Sequence, residues 1–145
     1  MISPEVLGIP MAMDPLTTKD KPATLKLFQD LTALCDSTGI CLFTTFGIGL
    51  PEIAGMYREA VGSNETDEEI LLKGERVWNL EKQFNIAAGI EKDTLPPRLL
   101  REALPEGPAQ GKVNELQTML KEYYAARGWT EEGIPTDDKL KELSL

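Results

Sequence analysis

No histidine occurs in the 145 residues. That removes the commonest general base and the commonest zinc ligand together, leaving Asp, Glu, Lys, Tyr, Cys, Ser and Thr for any chemistry. Cysteine is nearly as scarce. Cys35 and Cys41, spaced C-x5-C, are too few for a disulfide framework, for a four-cysteine zinc site, or for an iron–sulfur cluster held by this chain alone. Nor is their spacing the C-x-x-C of a thioredoxin-type redox pair. No apolar run approaches the ~20 residues that a membrane-spanning helix needs. The opening Met1-Ile2-Ser3-Pro4-Glu5 lacks the basic and apolar stretches of a secretory signal, so the expected location is the cytoplasm, with no membrane partner. Lys and Arg number 15 against 24 Asp and Glu, a formal net charge of −9. That balance argues against a nucleic-acid partner, since holding a phosphate backbone takes clustered cations. An acidic surface ordinarily serves solubility.

What is present is the composition of an ordinary globular domain, 41% hydrophobic and 27% charged, expected to form one domain over residues 1–145. Up to about Lys21 the chain is rich in Pro and Gly, with no sustained period. It reads as an irregular entry whose Val6, Leu7 and Ile9 pack on something upstream. A helix is expected from about Pro22 to Thr38, with Leu27, Phe28, Leu31, Leu34 and Cys35 on one stripe and Gly39 beyond its end. Residues 40–50, apolar, β-branched and punctuated by glycine, read as a buried irregular connection. A second helix is expected from about Pro51 to Val61, burying Ile53, Ala54, Tyr57 and Val61. A third opens on the capping box Thr66-Asp67-Glu68-Glu69 and runs to about Ala88, with Ile70, Gly74, Val77, Glu81, Phe84 and Ala88 along one side. Gly74 costs ~1 kcal/mol against alanine within a helix, which points to a close helix crossing there. A short turn is expected within 98–103, a fourth helix over roughly Lys112–Arg127, and a terminal one from Asp137 to Leu143. Trp78, Phe84 and Tyr123 read as core aromatics. The expected class is all-α: an irregular orthogonal helical domain of about five helices with long Pro/Gly-rich connections.

One stretch breaks the local rules: Asp36-Ser37-Thr38-Gly39-Ile40-Cys41. An aspartate in the last turn of a helix faces the negative end of the macrodipole, at a cost of ~0.3–1 kcal/mol. No Lys or Arg occurs between Lys26 and Arg58 to offset it. A carboxylate placed there makes sense as an acceptor for a donor-rich bound group. Cys41 then projects from a glycine-flanked apolar loop, where a thiolate would be stabilised by a metal and backbone amides. The bland alternative is a small buried hydrophobe. Cys35, at helical spacing from Phe28 and Leu31, reads as core.

Taken together, several runs resemble the C-terminal region of tungsten-containing aldehyde ferredoxin oxidoreductases. They are Ile2-Ser3-Pro4-Glu5, the stretch from Phe28 to Leu34, the D-x-x-G-I-C element, and Leu42-Phe43-Thr44-Thr45-Phe46-Gly47. Gly74-Glu75-Arg76-Val77-Trp78-Asn79, Phe84-Asn85, Asp93-Thr94-Leu95-Pro96, Tyr123-Tyr124 and Arg127-Gly128-Trp129-Thr130 extend the likeness along essentially the whole chain. The resemblance implies a tungsten ion held by two pterin dithiolenes beside a [4Fe–4S] cluster. It implies that Asp36 binds the pterin's amino-pyrimidinone edge, that Ile40 lines or backbone-contacts the pterin, and that Cys41 ligates iron. Ile40 stands where the family usually has Leu, a swap of equal volume that leaves a side-chain role there in doubt. The family's other cluster cysteines and its acid/base residues would lie upstream, so the chain is expected to be a piece of a longer enzyme and inactive alone. The implied reaction is oxidation of an aldehyde to a carboxylate, with electrons passing through the cluster to ferredoxin, and Leu42, Thr44 and Phe46 are candidates for a substrate channel. The rival reading is a non-enzymatic helical interaction or regulatory module, with Cys41 in its core.

Overall fold

The computed structural model describes residues 14–90 and 92–145. The readings made on the first thirteen residues, including the Ile2–Glu5 run and the packing of Val6, Leu7 and Ile9, lie outside the described part. Six α-helices are found among the described residues: α1 (Lys21–Thr38), α2 (Leu50–Val61), α3 (Asp67–Ala87), α4 (Pro97–Arg101), α5 (Leu116–Arg127) and α6 (Asp137–Glu142). A 3₁₀ helix, Leu42–Phe46, links α1 to α2. The only strand-like pairing described is a single bridge between Trp129 and Pro135. The all-α expectation holds, with α4 as a helix where a single turn was expected.

The helix boundaries follow from local chemistry. Pro22 sits in the first turn of α1, and Gly39, at φ 74°, ends it in the left-handed region that an L side chain resists. Thr66 caps α3 by accepting from the Glu69 amide, while Glu69 accepts in return from the Thr66 amide. Helix α5 begins at Leu116 rather than Lys112. The Leu104 amide donates to the Lys112 carbonyl and the Asn114 amide donates to the Leu99 carbonyl. Those bonds tie residues 112–114 to the preceding loop, so a helix cannot start there and Val113 stays exposed.

One apolar cluster joins Leu31, Leu34 and Cys35 of α1 to Ile53 and Ala54 of α2 and Ile70 of α3. A second joins Tyr123, Tyr124 and Trp129, with Trp78 and Leu120 against it. Helices α1 and α3 cross at backbone contact: a Cβ on Gly74 would lie 1.9 Å from the Asp30 carbonyl oxygen. The expected close crossing is therefore present, and its partner is the middle of α1.

The rest of α3 departs from the expected stripe. Its buried positions are Ile70, Gly74, Glu75, Asn79 and Lys82, whereas Phe84 is 74% exposed. Val61 is also exposed, at the outer end of α2. An apolar pattern misplaces the face because the buried side of α3 carries charge. Arg127, fully buried, pairs with Asp30 and also donates to Gln29 Oε1 (2.7 Å) and the Tyr123 hydroxyl (3.1 Å). Lys26 bridges Asp30 (2.8 Å) and Glu75 (3.0 Å), and Lys139 reaches Glu75 from α6 at 3.4 Å. Four helices are thereby tied through one buried ionic layer, in which each charge has an opposite partner.

Candidate functional site

The end of α1 is shaped by a short set of backbone bonds. The Gly39 amide donates to the Asp36 carbonyl (3.3 Å) and the Ile40 amide to the Cys35 carbonyl (3.1 Å). This paired closure needs a left-handed residue at Gly39 and brings an apolar residue back onto the helix. Ile40 meets that requirement by packing half-buried against the Leu31–Leu34–Cys35 cluster. The hydroxyls of Ser37 and Thr38 donate to the carbonyls of Ala33 and Leu34, at 2.7 and 3.0 Å. The last turn is thus closed by its own residues and by no basic side chain.

Asp36 and Cys41 face outward on either side of this closure; both are exposed. The Asp36 carboxylate accepts no hydrogen bond and makes no ion pair among the described residues. It nevertheless acts on its neighbour: burial chiefly, and the Asp36 charge secondarily, push the Cys35 thiol above its ordinary pKa. Cys35 is fully buried in the apolar cluster, which is the core role expected of it.

Cys41 precedes the 3₁₀ helix, and its carbonyl accepts from both the Thr44 amide (2.9 Å) and the Thr44 hydroxyl (2.7 Å). Those two bonds fix the backbone that carries the thiol. In a 3₁₀ helix, residues three apart eclipse. Phe43 and Phe46 accordingly stack, with ring centroids 6.0 Å apart, and stand 76% and 59% exposed. Leu42 is exposed beside them, while Thr45 is buried and donates to the Leu42 carbonyl. The buried connection expected over residues 40–50 is therefore corrected. The segment is mainly an outward apolar ridge, because nothing among the described residues covers it. The sequence carried the signal, Phe-x-x-Phe, but a 3₁₀ period is too short to separate from an irregular apolar run.

The donor set fits one ligand of a cluster and one polar contact to a cofactor, and no more. No group of three or more His, Cys, Asp or Glu side chains able to hold a metal occurs among the described residues. Among the described residues, then, an exposed carboxylate without a partner and an exposed thiol flank the end of α1, followed by the exposed Phe43 and Phe46 rings.

The described residues thus define an all-α unit with an exposed apolar ridge after α1. The chain belongs to the aldehyde ferredoxin oxidoreductase family: the family model "Aldehyde ferredoxin oxidoreductase, domains 2 & 3" matches residues 1–145. It is 51% identical to the tungsten-containing aldehyde ferredoxin oxidoreductase of Pyrococcus abyssi, over all of this chain and 24% of that protein. The enzyme of the same name from Pyrococcus furiosus is 50% identical, over all of this chain and 25% of that protein. The "Aliphatic sulfonate oxidoreductase, WOR-like subunit" of Pyrococcus furiosus is 31% identical, over 91% of this chain and 23% of that protein. The chain spans about a quarter of the length of the curated relatives it matches. No helix among the described residues is long and apolar enough to cross a membrane.

Proposed function

We propose that this chain forms one wall of the cofactor site of a cytoplasmic tungstopterin enzyme that oxidises aldehydes to carboxylates and passes electrons to ferredoxin. The observation that carries the proposal is that the Asp36 carboxylate, without a partner among the described residues, and the Cys41 thiol are both exposed around the end of α1, in a chain that the family model matches over residues 1–145. Bound tungsten-bis-pterin and a [4Fe–4S] cluster would supply the two-electron oxidation, in which water provides the second carboxylate oxygen.

The chain's own residues have narrower tasks. The Asp36 carboxylate accepts hydrogen bonds from the amino-pyrimidinone edge of the pterin, and that contact offsets its unfavourable place at the negative end of α1. Ile40 holds the turn in place with its side chain in the core, so its contact to the pterin is through the backbone. Cys41 supplies one thiolate to iron; the other cluster ligands come from the remaining three-quarters that the relatives possess. Phe43 and Phe46, with Leu42 and Thr44, dock on that remaining part and exclude water from the site. The chain alone is not catalytic, and neither a nucleic acid nor a membrane is among its partners.

The test is complementation. The chain is co-produced with the upstream part of a Pyrococcus relative, and iron, tungsten and cluster absorbance are measured on the purified complex. Cys41→Ser is expected to lose cluster iron, and Asp36→Ala to lower tungsten while leaving most iron in place. An unchanged cluster in Cys41→Ser would remove the ligand assignment.

A further inference from the structure

Helix α3 carries an apolar row apart from the side it turns to the ionic layer. Ile70, Lys73, Val77, Leu80, Phe84 and Ala87 follow one another at alternating spacings of three and four residues, which places them along one side of the helix. Over the first half, α2 covers the row: Ile70 is buried in the cluster with Ile53 and Ala54, and Lys73 Nζ lies over the Tyr57 ring at 5.6 Å. Over the second half, nothing among the described residues does. Val77 is half-buried, Leu80 and Phe84 are 48% and 74% exposed, and Ala87 is exposed. Asn79 and Lys82, on another side of the same half, are engaged with Trp129 and Asp93.

Apolar residues at this spacing fit the apolar stripe of a second helix, whose backbone groups are already paired. An extended segment would instead bring N–H and C=O groups that find no partner there. Glu81 borders the row, exposed and without a partner among the described residues, so a Lys or Arg on the arriving helix is favoured beside it.

Leu80 and Phe84 expose ~250 Å² between them, against the ~800 Å² per partner of a stable association. A second copy held by this row alone would bind too weakly. The area suits a helix of a larger body that is fixed elsewhere on the chain, because the added contact then forms as an intramolecular one. This chain spans 24% and 25% of the two Pyrococcus enzymes, so about three-quarters of such a protein is left to supply that body. Leu25 and Phe28 of α1 line one cleft with Trp78, Glu81 and Asn85 of α3, so the bare half of α3 lies beside the first half of α1. The Leu42–Phe46 ridge follows the far end of that 18-residue helix. One body therefore reaches both ends of a helix ~27 Å long.

We propose that the row from Val77 to Ala87 docks an amphipathic helix from the remaining part of the enzyme, with a cation placed to face Glu81. This docking shares its partner with the proposed function and needs none of the metal or pterin assignments.

The upstream part of the Pyrococcus furiosus relative, carrying an affinity tag, is co-produced with equal amounts of unaltered and variant chain. The ratio recovered with it is read by mass spectrometry. Leu80→Lys and Phe84→Lys are each expected to be recovered at least ~5-fold less than the unaltered chain, and Glu81→Lys at least ~2-fold less. Leu72→Lys, at an exposed leucine off the row on the same helix, is expected to compete equally. All four positions are exposed, and circular dichroism of each purified chain checks the helical fold. Equal recovery of Leu80→Lys and Phe84→Lys would overturn the docking face, and so would an equally large loss in Leu72→Lys. Loss of self-association in Phe84→Lys with unchanged recovery on the upstream part would assign the row to a second copy instead. Recovery of no chain at all overturns both this docking and that of the Leu42–Phe46 ridge. Full cluster iron in a recovered Cys41→Ser chain would remove the ligand assignment alone.

Discussion

The two thiols are six positions apart and chemically opposite. Cys35 is fully buried, and burial together with the Asp36 charge holds its proton on. Cys41 is exposed. A disulfide-exchange reagent is therefore expected to titrate one thiol per chain rapidly in the native protein and a second only in denaturant; equal rapid reaction of both would contradict the burial of Cys35. Arg127 offers a test of the ionic layer. Arg127→Met leaves carboxylate and hydroxyl partners buried without their fork of donors, and a loss of about 3–5 kcal/mol in denaturant unfolding is expected. Tyr123 and Tyr124 set an alkaline limit. Burial, foremost, raises both phenols above their ordinary value of 10.0, and Asp93 adds to the rise for Tyr124. The folded state therefore favours the protonated phenols. That stabilisation is fully present below pH 10 and is lost as pH rises from there toward the folded-state values. Stability measured by circular dichroism should fall above about pH 10, and the fall should be shallower in Tyr124→Phe.

At the scale of elements, legibility followed local chemistry. The Thr66–Glu69 box and Gly39 past α1 both mark true helix ends, because each is decided by residues within one turn. The Asp36-to-Cys41 element was visible for the same reason, since a carboxylate in a last turn without a nearby cation is a local conflict. The buried face of α3 was not visible. Glu75, Asn79 and Lys82 are buried only because Lys26, Trp129 and Asp93 meet them from distant parts of the chain. Exposure of the Leu42–Phe46 ridge was equally hidden, because an apolar run does not announce which side lacks a neighbour. Gly74 gives the sharpest element-scale test. A methyl group there would meet the α1 backbone, which cannot swing aside like a side chain. Gly74→Ala is expected to destabilise by about 3 kcal/mol or more in spite of its better helix propensity. A stabilised variant would mean that α1 and α3 are not in backbone contact.

For the whole molecule, the division is between a tied half and an open edge. The ionic layer and the two apolar clusters hold α1, α3, α5 and α6 together, whereas nothing among the described residues covers the ridge of Leu42, Phe43 and Phe46. The isolated chain is expected to be colourless and to self-associate through the ridge. Apolar association of a chain with net charge −9 should strengthen with sulfate, as repulsion is screened and apolar burial is favoured. Sedimentation with and without Phe43→Ser and Phe46→Ser checks this, and identical behaviour of the two chains would count against the ridge. Those substitutions should alter stability by less than about 0.5 kcal/mol, as exposed positions do.

The contact of Gly74 with the Asp30 carbonyl has a consequence for how the molecule opens. Two helices touching at their backbones cannot be loosened one at a time, so the amides in the middle of α1 and α3 belong to a single cooperative unit. Their hydrogen exchange should proceed only with global unfolding and at one common free energy. The Thr44 and Gly47 amides, bonded within the 3₁₀ helix alone, should exchange through small independent openings. The thiol of Cys41 lies between α1 and the 3₁₀ helix, so it is expected to sit where exchange changes from cooperative opening to local opening.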